Sequence, residues 1–307
     1  MNRRPDRQPD GRPDLRPGWQ RALTDLAGAL LPLSTRDLLS ELDDRIRKIP
    51  TRLNEFGYDP WGLHPETVRK SMLPVLLLYR YWFRVETHGI EKIPPGGVLL
   101  VGNHAGQLPF DATMVSAAVL LEADPPRILR GMAEYWVPQL PFVSEMASRG
   151  GAVAGTPETC REMLEAGEAV MVFPEGVRGM NKLYQNRYQL QRFGLGFLRL
   201  ALEARVPIVP IGIVGSEEQQ PGLANLRGLA SALGMPAFPV TPTFPWLGPL
   251  GLLPLPVKYR IHFGDPMHFD GAPGDEDSVI EEKVNRVREA ISALCARGLQ
   301  ERRGVFR

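Results

Sequence analysis

Apolar residues recur at helical spacing in two stretches near the amino terminus. Leu38, Leu39, Leu42, Ile46 and Ile49 line one stripe between Asp37 and Lys48, with Ser34 or Thr35 placed to cap the first turn. That spacing predicts an amphipathic helix. Val68, Met72, Leu76, Tyr79 and Phe83 form a second stripe from about Glu66 to Arg84, which Pro74 is expected to break or bend because proline lacks a backbone donor. Both helices read as packed on a main domain. Tyr79, Tyr81, Trp82 and Phe83, interleaved with Arg80 and Arg84, also offer a face suited to a membrane interface.

Beyond Val85, short apolar runs alternate with helical stretches. Val98–Val101, Ala169–Phe173, Ile208–Val214 and Tyr259–Phe263 predict strands, and Asp111–Glu122 and Phe193–Ala204 predict helices. Thr156-Pro157 reads as the cap and first residue of another helix that stops at Gly167. The last helix opens with the capping-box pattern Ser278-x-x-Glu281, carries Ile280, Val284, Val287, Ile291 and Leu294, and is expected to close at Gly298. This rhythm predicts one α/β domain over residues 86–298, preceded by amphipathic helices within residues 21–85. Residues 1–20 and 299–307 are left as tails, the first disordered.

Composition narrows the picture. With 307 residues, 43% of them hydrophobic, the chain can bury a sizeable core. Its 36 Lys and Arg nearly balance 35 Asp and Glu, so no basic field favours nucleic acid as a partner. Cys160 and Cys295 form no C-x-x-C pair or metal-ligand cluster, which predicts no disulfide and no metal, and a reducing cytoplasmic location. The Arg-, Pro- and Asp-rich start contains no apolar stretch, so neither a signal peptide nor an anchor is expected there. Gly228–Val257 is free of formal charge, but seven prolines from Pro236 to Pro256 argue against a spanning helix. That segment is expected to cover the core or to dip into an interface through Phe244, Trp246, Leu250, Leu252 and Leu253.

Two loops carry candidate chemistry because each follows a strand, where α/β proteins gather ligand-contacting residues. In VGNHAGQLPFDA, His104 lies just past the first strand and Asp111 opens the next helix. A carboxylate bonded to one imidazole nitrogen leaves the other free to take a proton from a hydroxyl. Asp111 would serve equally well as a helix cap. In VMVFPEGVRGMNK, a turn at Pro174 and Gly176 sets Glu175 beside Arg178, an acceptor for hydroxyls next to a fork of donors for phosphate or carboxylate. A solvated surface pair has the same local pattern.

Taken together, the blocks Asn103-His104…Asp111, Phe173-Pro174-Glu175-Gly176-Val177-Arg178 and Val206-Pro207-Ile208-Val209-Pro210 resemble those of the glycerolipid acyltransferases, in the same order, over about residues 86–270. The resemblance implies a single acyltransferase domain with a mixed β-sheet flanked by helices. It implies transfer of a fatty acyl group from acyl-CoA or acyl carrier protein to a hydroxyl of a lysophospholipid or related glycerolipid, with no cofactor. By position, His104 would be the general base and Asp111 its orienting partner. Asn103, Glu175, Gly176 and Pro207 would fall in the substrate-binding blocks, and Arg178 would hold an anionic head group. A thioester is already activated, so direct attack by the alcohol suffices and Cys160 reads as packing.

Two departures stand out. Asp111 is two positions later than in most of the family. The middle block reads RGGAVAGTPE, with Arg149 before the glycines and none after, which opens the acceptor to lipids without phosphate. Arg130, Lys182, Arg187 and Arg192 lie near the two loops and read as solvated charges. Peripheral contact with the cytoplasmic face of a membrane, a non-catalytic lipid-binding homologue, and an esterase using His104 to activate water all remain compatible with these residues.

Overall fold

A computed structural model describes residues 33–106, 108–133, 149–226, 228, 230 and 238–307. The expected tail over 1–20 lies outside them. The described residues from 42 onward form one compact unit. Helix α1 spans Leu33–Arg47.

The helix α2 spans Pro65–Leu77 and tolerates Pro74 inside it. The departure from regular helix comes later, as a wider turn over Leu78–Trp82 in which Phe83 N donates to Leu78 O at 2.7 Å. This turn divides the aromatic run. Tyr79 and Phe83 are buried, Phe83 against Tyr259 with ring centroids 4.7 Å apart, while Tyr81 and Trp82 stay exposed.

Seven strands form one mixed sheet: β1 (Glu86–His88), β2 (Val98–Gly102), β3 (Leu129–Ala133), β4 (Val153–Ala154), β5 (Ala169–Val172), β6 (Ile208–Val214) and β9 (Arg260–Phe263), in the order β1-β9-β6-β2-β5-β3-β4. A separate hairpin pairs β7 (Ala224–Asn225) with β8 (Pro239–Val240). β2 runs parallel to both neighbours, β5 and β6, whereas β9 is antiparallel to β6. The continuous apolar run of β2 follows from burial on both faces. Val98 and Leu100 pack with Met114, Val115 and Ala118 of α3 (Phe110–Glu122). Leu99 and Val101 pack with Met163 of α4 (Pro157–Glu165), Leu198 of α6 (Gly196–Ala204) and Ile291 of α8 (Asp277–Glu301). Each such side chain contributes ~1.5–3 kcal/mol by leaving water.

Thr156 caps α4 as its sequence implies, its hydroxyl accepting from Thr159 N at 3.2 Å. Helix α8 departs from expectation at both ends. Its cap position is Glu276, without a side-chain cap, and it runs through Gly298 to Glu301. Gly298 is there for close approach: a Cβ would lie 2.9 Å from Val214 Cγ2 and 3.1 Å from His262 Nε2. The approach buries His262, and burial together with the facing His88 pushes its imidazole down to about 4. Cys160 and Cys295 are buried in α4 and α8, and burial pushes both thiols up to about 12, so they pack rather than react. No described helix is long and apolar enough to cross a membrane.

Candidate active site

Register brings the two loops together. Val101 of β2 pairs with Val172 of β5, so three residues further on His104 and Glu175 meet at the carboxyl edge of the sheet. His104 N donates to Glu175 Oε1 at 3.0 Å. The imidazole stacks on Phe173, with centroids 4.2 Å apart and 15° between the planes. Its Nδ1 lies 2.7 Å from Asp111 Oδ2. That same oxygen accepts from Ala105 N at 2.9 Å, and Oδ1 accepts from Ala112 N at 2.7 Å. Asp111 is fully buried, so its orientation is over-determined. The two-residue displacement of the carboxylate is absorbed by the loop and does not separate the pair. With Nδ1–H donated to Asp111, Nε2 carries the lone pair.

Glu175 does not face outward as a surface partner of Arg178. It is 1% exposed, and its second oxygen accepts from Gln191 N at 2.7 Å and lies 3.5 Å from Lys182 Nζ. Gly176 supplies the turn before α5 (Val177–Met180), with φ 57° and ψ −151°, a conformation open essentially to glycine alone. Arg178 lines a polar cleft of about 510 Å³ with Asn181, Asn186, Gln191 and Asn225, and its Nη2 donates to Arg192 O at 3.3 Å.

Two motif residues brace the sheet instead of facing the site. Asn103 is fully buried, and its amide bonds both backbone groups of Ile213, at 2.8 and 3.0 Å, tying β2 to β6. Pro207 precedes β6 at the opposite edge. Its carbonyl accepts from Leu99 N, five residues before His104, which is about 17 Å at ~3.3 Å per residue.

Sequence reasoning missed a buried ionic layer beneath these loops. Lys182, expected as a solvated charge, is buried and holds Glu217 Oε1 at 2.9 Å. Glu217 belongs to α7 (Ser216–Gln219), all four residues of which are buried. Burial raises the Glu217 carboxyl above its ordinary range, against the pull of Lys182. Glu218 accepts from the Tyr188 phenol and from Arg302 Nη1 at 2.6 Å, so Tyr188 belongs to this layer. Gln219 Nε2 reaches Leu108 O at 3.2 Å and steadies the His104 loop. Arg130 is buried too, paired with Asp59 at 2.5 Å. The signal available for α7 was position: a glycine and a polar run directly after a strand that neighbours β2.

Gly179 is a further positioning residue. A Cβ there would lie 2.7 Å from His104 O and 2.9 Å from Glu175 Cβ. If His104 carries the chemistry, Gly179→Ala lowers kcat by about 10²-fold through displacement of His104, with a smaller change in KM. Steady-state kinetics beside a melting curve check this; unchanged kcat would show that the loop accommodates the methyl group.

The family model described as Acyltransferase matches residues 84–214, the span that contains all three sequence blocks. An uncharacterized protein of Mycobacterium leprae is 41% identical over 288 residues, covering 90% of this chain and 78% of that protein. The chain belongs to the acyltransferase family. An uncharacterized protein of Mycobacterium tuberculosis is 43% identical over 260 residues, covering 83% and 71% of the two chains. This acyltransferase is also 28% identical over 216 residues to the human DGAT1/2-independent enzyme synthesizing storage lipids, covering 69% of this chain and 61% of that enzyme. The crystal structure of PlsC, a 1-acyl-sn-glycerophosphate acyltransferase from Thermotoga maritima, matches at 16% identity with a TM-score of 0.49, over 77% of this chain and 81% of that one.

Proposed function

We propose that this acyltransferase moves a fatty acyl group from acyl-CoA or acyl carrier protein to a free hydroxyl of a glycerolipid, with His104 as general base. The observation that carries the reading is the 2.7 Å contact between His104 Nδ1 and buried Asp111. Nε2 takes the hydroxyl proton as the oxygen attacks the thioester carbonyl. The C–S bond then breaks, and the imidazolium returns the proton to the departing thiolate. Asp111 holds the tautomer and stabilises the transient cation. Glu175 is a positioning residue that fixes the His104 backbone.

The cleft beyond Glu175 suits the polar head of the acceptor, and Arg178 is the cation available there for an anionic group. A lysophospholipid would use it. An acceptor without phosphate is the second reading, favoured by the absence of an arginine after the glycines of RGGAVAGTPE and by similarity to an enzyme named for storage lipids. Product analysis by mass spectrometry, with lysophosphatidate, lysophosphatidylcholine and monoacylglycerol offered in parallel, separates the two. If the anionic acceptor is the substrate, Arg178→Ala raises its KM at least about tenfold, as loss of a charge-assisted contact requires. If monoacylglycerol alone is acylated, the phosphate reading fails.

The substrates would be met at a membrane surface. Trp246 is 74% and Leu250 is 69% exposed, beside exposed Leu247 and Leu253. Trp82 Nε1 donates to Pro254 O at 3.1 Å, joining exposed Tyr81 and Trp82 to the same segment. These side chains fit reversible docking to a cytoplasmic leaflet. Trp246→Asp combined with Leu250→Asp is expected to weaken cosedimentation with phospholipid vesicles at least about tenfold, since burying each apolar side chain is worth ~1.5–3 kcal/mol. Unchanged sedimentation would remove this surface from the account.

A further inference from the structure

One group of donor side chains takes no part in the chemistry above. His88, at the end of β1, and His262, on β9, are register partners in adjacent parallel strands. Their rings stack with centroids 4.5 Å apart and 16° between planes. The last turn of α8 brings Glu301 Oε2 to 3.4 Å from His262 Nε2. One donor atom from each residue lies within 4.8 Å of the other two. His262 is 1% exposed, yet among the described residues its Nε2 makes no hydrogen bond. Such orphaned buried nitrogens call for an explanation. Gly298 keeps the space beside it open, because a Cβ there would stand 3.1 Å from the same nitrogen.

We propose that His88, His262 and Glu301 form a binding site for a divalent transition-metal ion of the zinc class, clamping the end of helix α8 to the two outer strands. Two imidazoles and a carboxylate make a donor set that zinc accepts readily and that magnesium and calcium do not favour. Donors ~2.0–2.1 Å from a tetrahedral ion stand about 3.4 Å apart, so the longest edge of the group must shorten by about 1.4 Å. The exposed side chains of His88 and Glu301 supply that movement. The nearby cations are engaged by carboxylates: Arg297 Nε holds Glu301 Oε1 at 2.8 Å, leaving Oε2 for the metal, and Arg260 Nε lies 3.2 Å from Glu86. Arg297 then fixes the ligand from behind, as supporting partners do in metal sites. An outer position left to water would make the ion exchangeable, and β9 lies two strands away from β2, outside the acyl-transfer chemistry.

Co²⁺ titration of tag-free, metal-stripped full-length protein tests this, followed by visible absorption and displacement with Zn²⁺. The expected result is one equivalent of Co²⁺ with a tetrahedral d–d band lost on adding Zn²⁺, and a Tm raised by about 5 °C or more in excess Zn²⁺. His88→Ala, at an exposed position that should not disturb folding, and Glu301→Gln should each weaken Co²⁺ binding at least about tenfold. No band and no Tm shift, or an affinity in both variants equal to the parent's, would overturn the proposal. Because the readouts are spectroscopic and thermal, the result is independent of whether the acyl-transfer reading holds.

Discussion

His104→Ala is expected to lower kcat by about 10²–10⁴-fold, the usual contribution of a positioned general base, with KM for the acyl donor little changed. Stability should hardly move. What anchors the loop is backbone and neighbours: His104 N on Glu175, Ala105 N on Asp111, and Gln219 on Leu108 O. The substitution deletes the ring stacked on Phe173 and leaves these bonds in place. Asp111→Asn should approach the same loss by a different route, since an amide that donates to Nδ1 would put the proton on Nε2 and remove the base. A His104→Ala variant that melts normally and turns over at the parent rate would end the general-base assignment.

Lys182→Met carries the largest expected effect on stability. It removes the ammonium that lies 2.9 Å from Glu217 Oε1 and 3.5 Å from Glu175 Oε2, leaving two buried carboxylates without it. Stranding a buried charge typically costs ~3–5 kcal/mol, or a Tm lower by roughly 10 °C in a domain of this size. Burial already raises the Glu217 carboxyl, and losing the ammonium raises it further. The folded variant would then bind a proton that the unfolded chain releases above its ordinary carboxylate value, so the variant's deficit should shrink as pH falls from 8 toward 5. Pairing Lys182→Met with Glu217→Gln should recover a substantial part of the loss. A single variant as stable as the parent at pH 8 would mean that the lysine is not the counter-charge.

Much of this site was legible in the sequence because its scaffold consists of continuous apolar runs. Val98–Gly102, Ala169–Val172 and Ile208–Val214 could hardly be anything but buried strands, and the residues after the first two are those that meet at His104. Chemistry was legible where residue types are unusual together, as in Asn103-His104 and Pro174-Glu175-Gly176. Motif membership did not say which way each residue turns. Asn103 and Pro207 brace strands, and only pairing with Ile213 and Leu99 reveals it. The ionic layer was invisible for a different reason. Lys182 and Glu217 lie 35 positions apart, and each alone has the composition of a surface loop. Gly179 and Gly298 likewise answer to contacts across the fold, with His104 and with His262, that local pattern cannot carry.

In the proposed reaction an alcohol takes an acyl group from a thioester, with His104 as the base. Thiol release from acyl-CoA by the purified protein on vesicles, with and without a glycerolipid bearing a free hydroxyl, tests it most directly. Release that requires the acceptor, matches ester formation one for one and disappears in His104→Ala is the predicted result. Release at the same rate without acceptor, or an undiminished rate in His104→Ala, would contradict it.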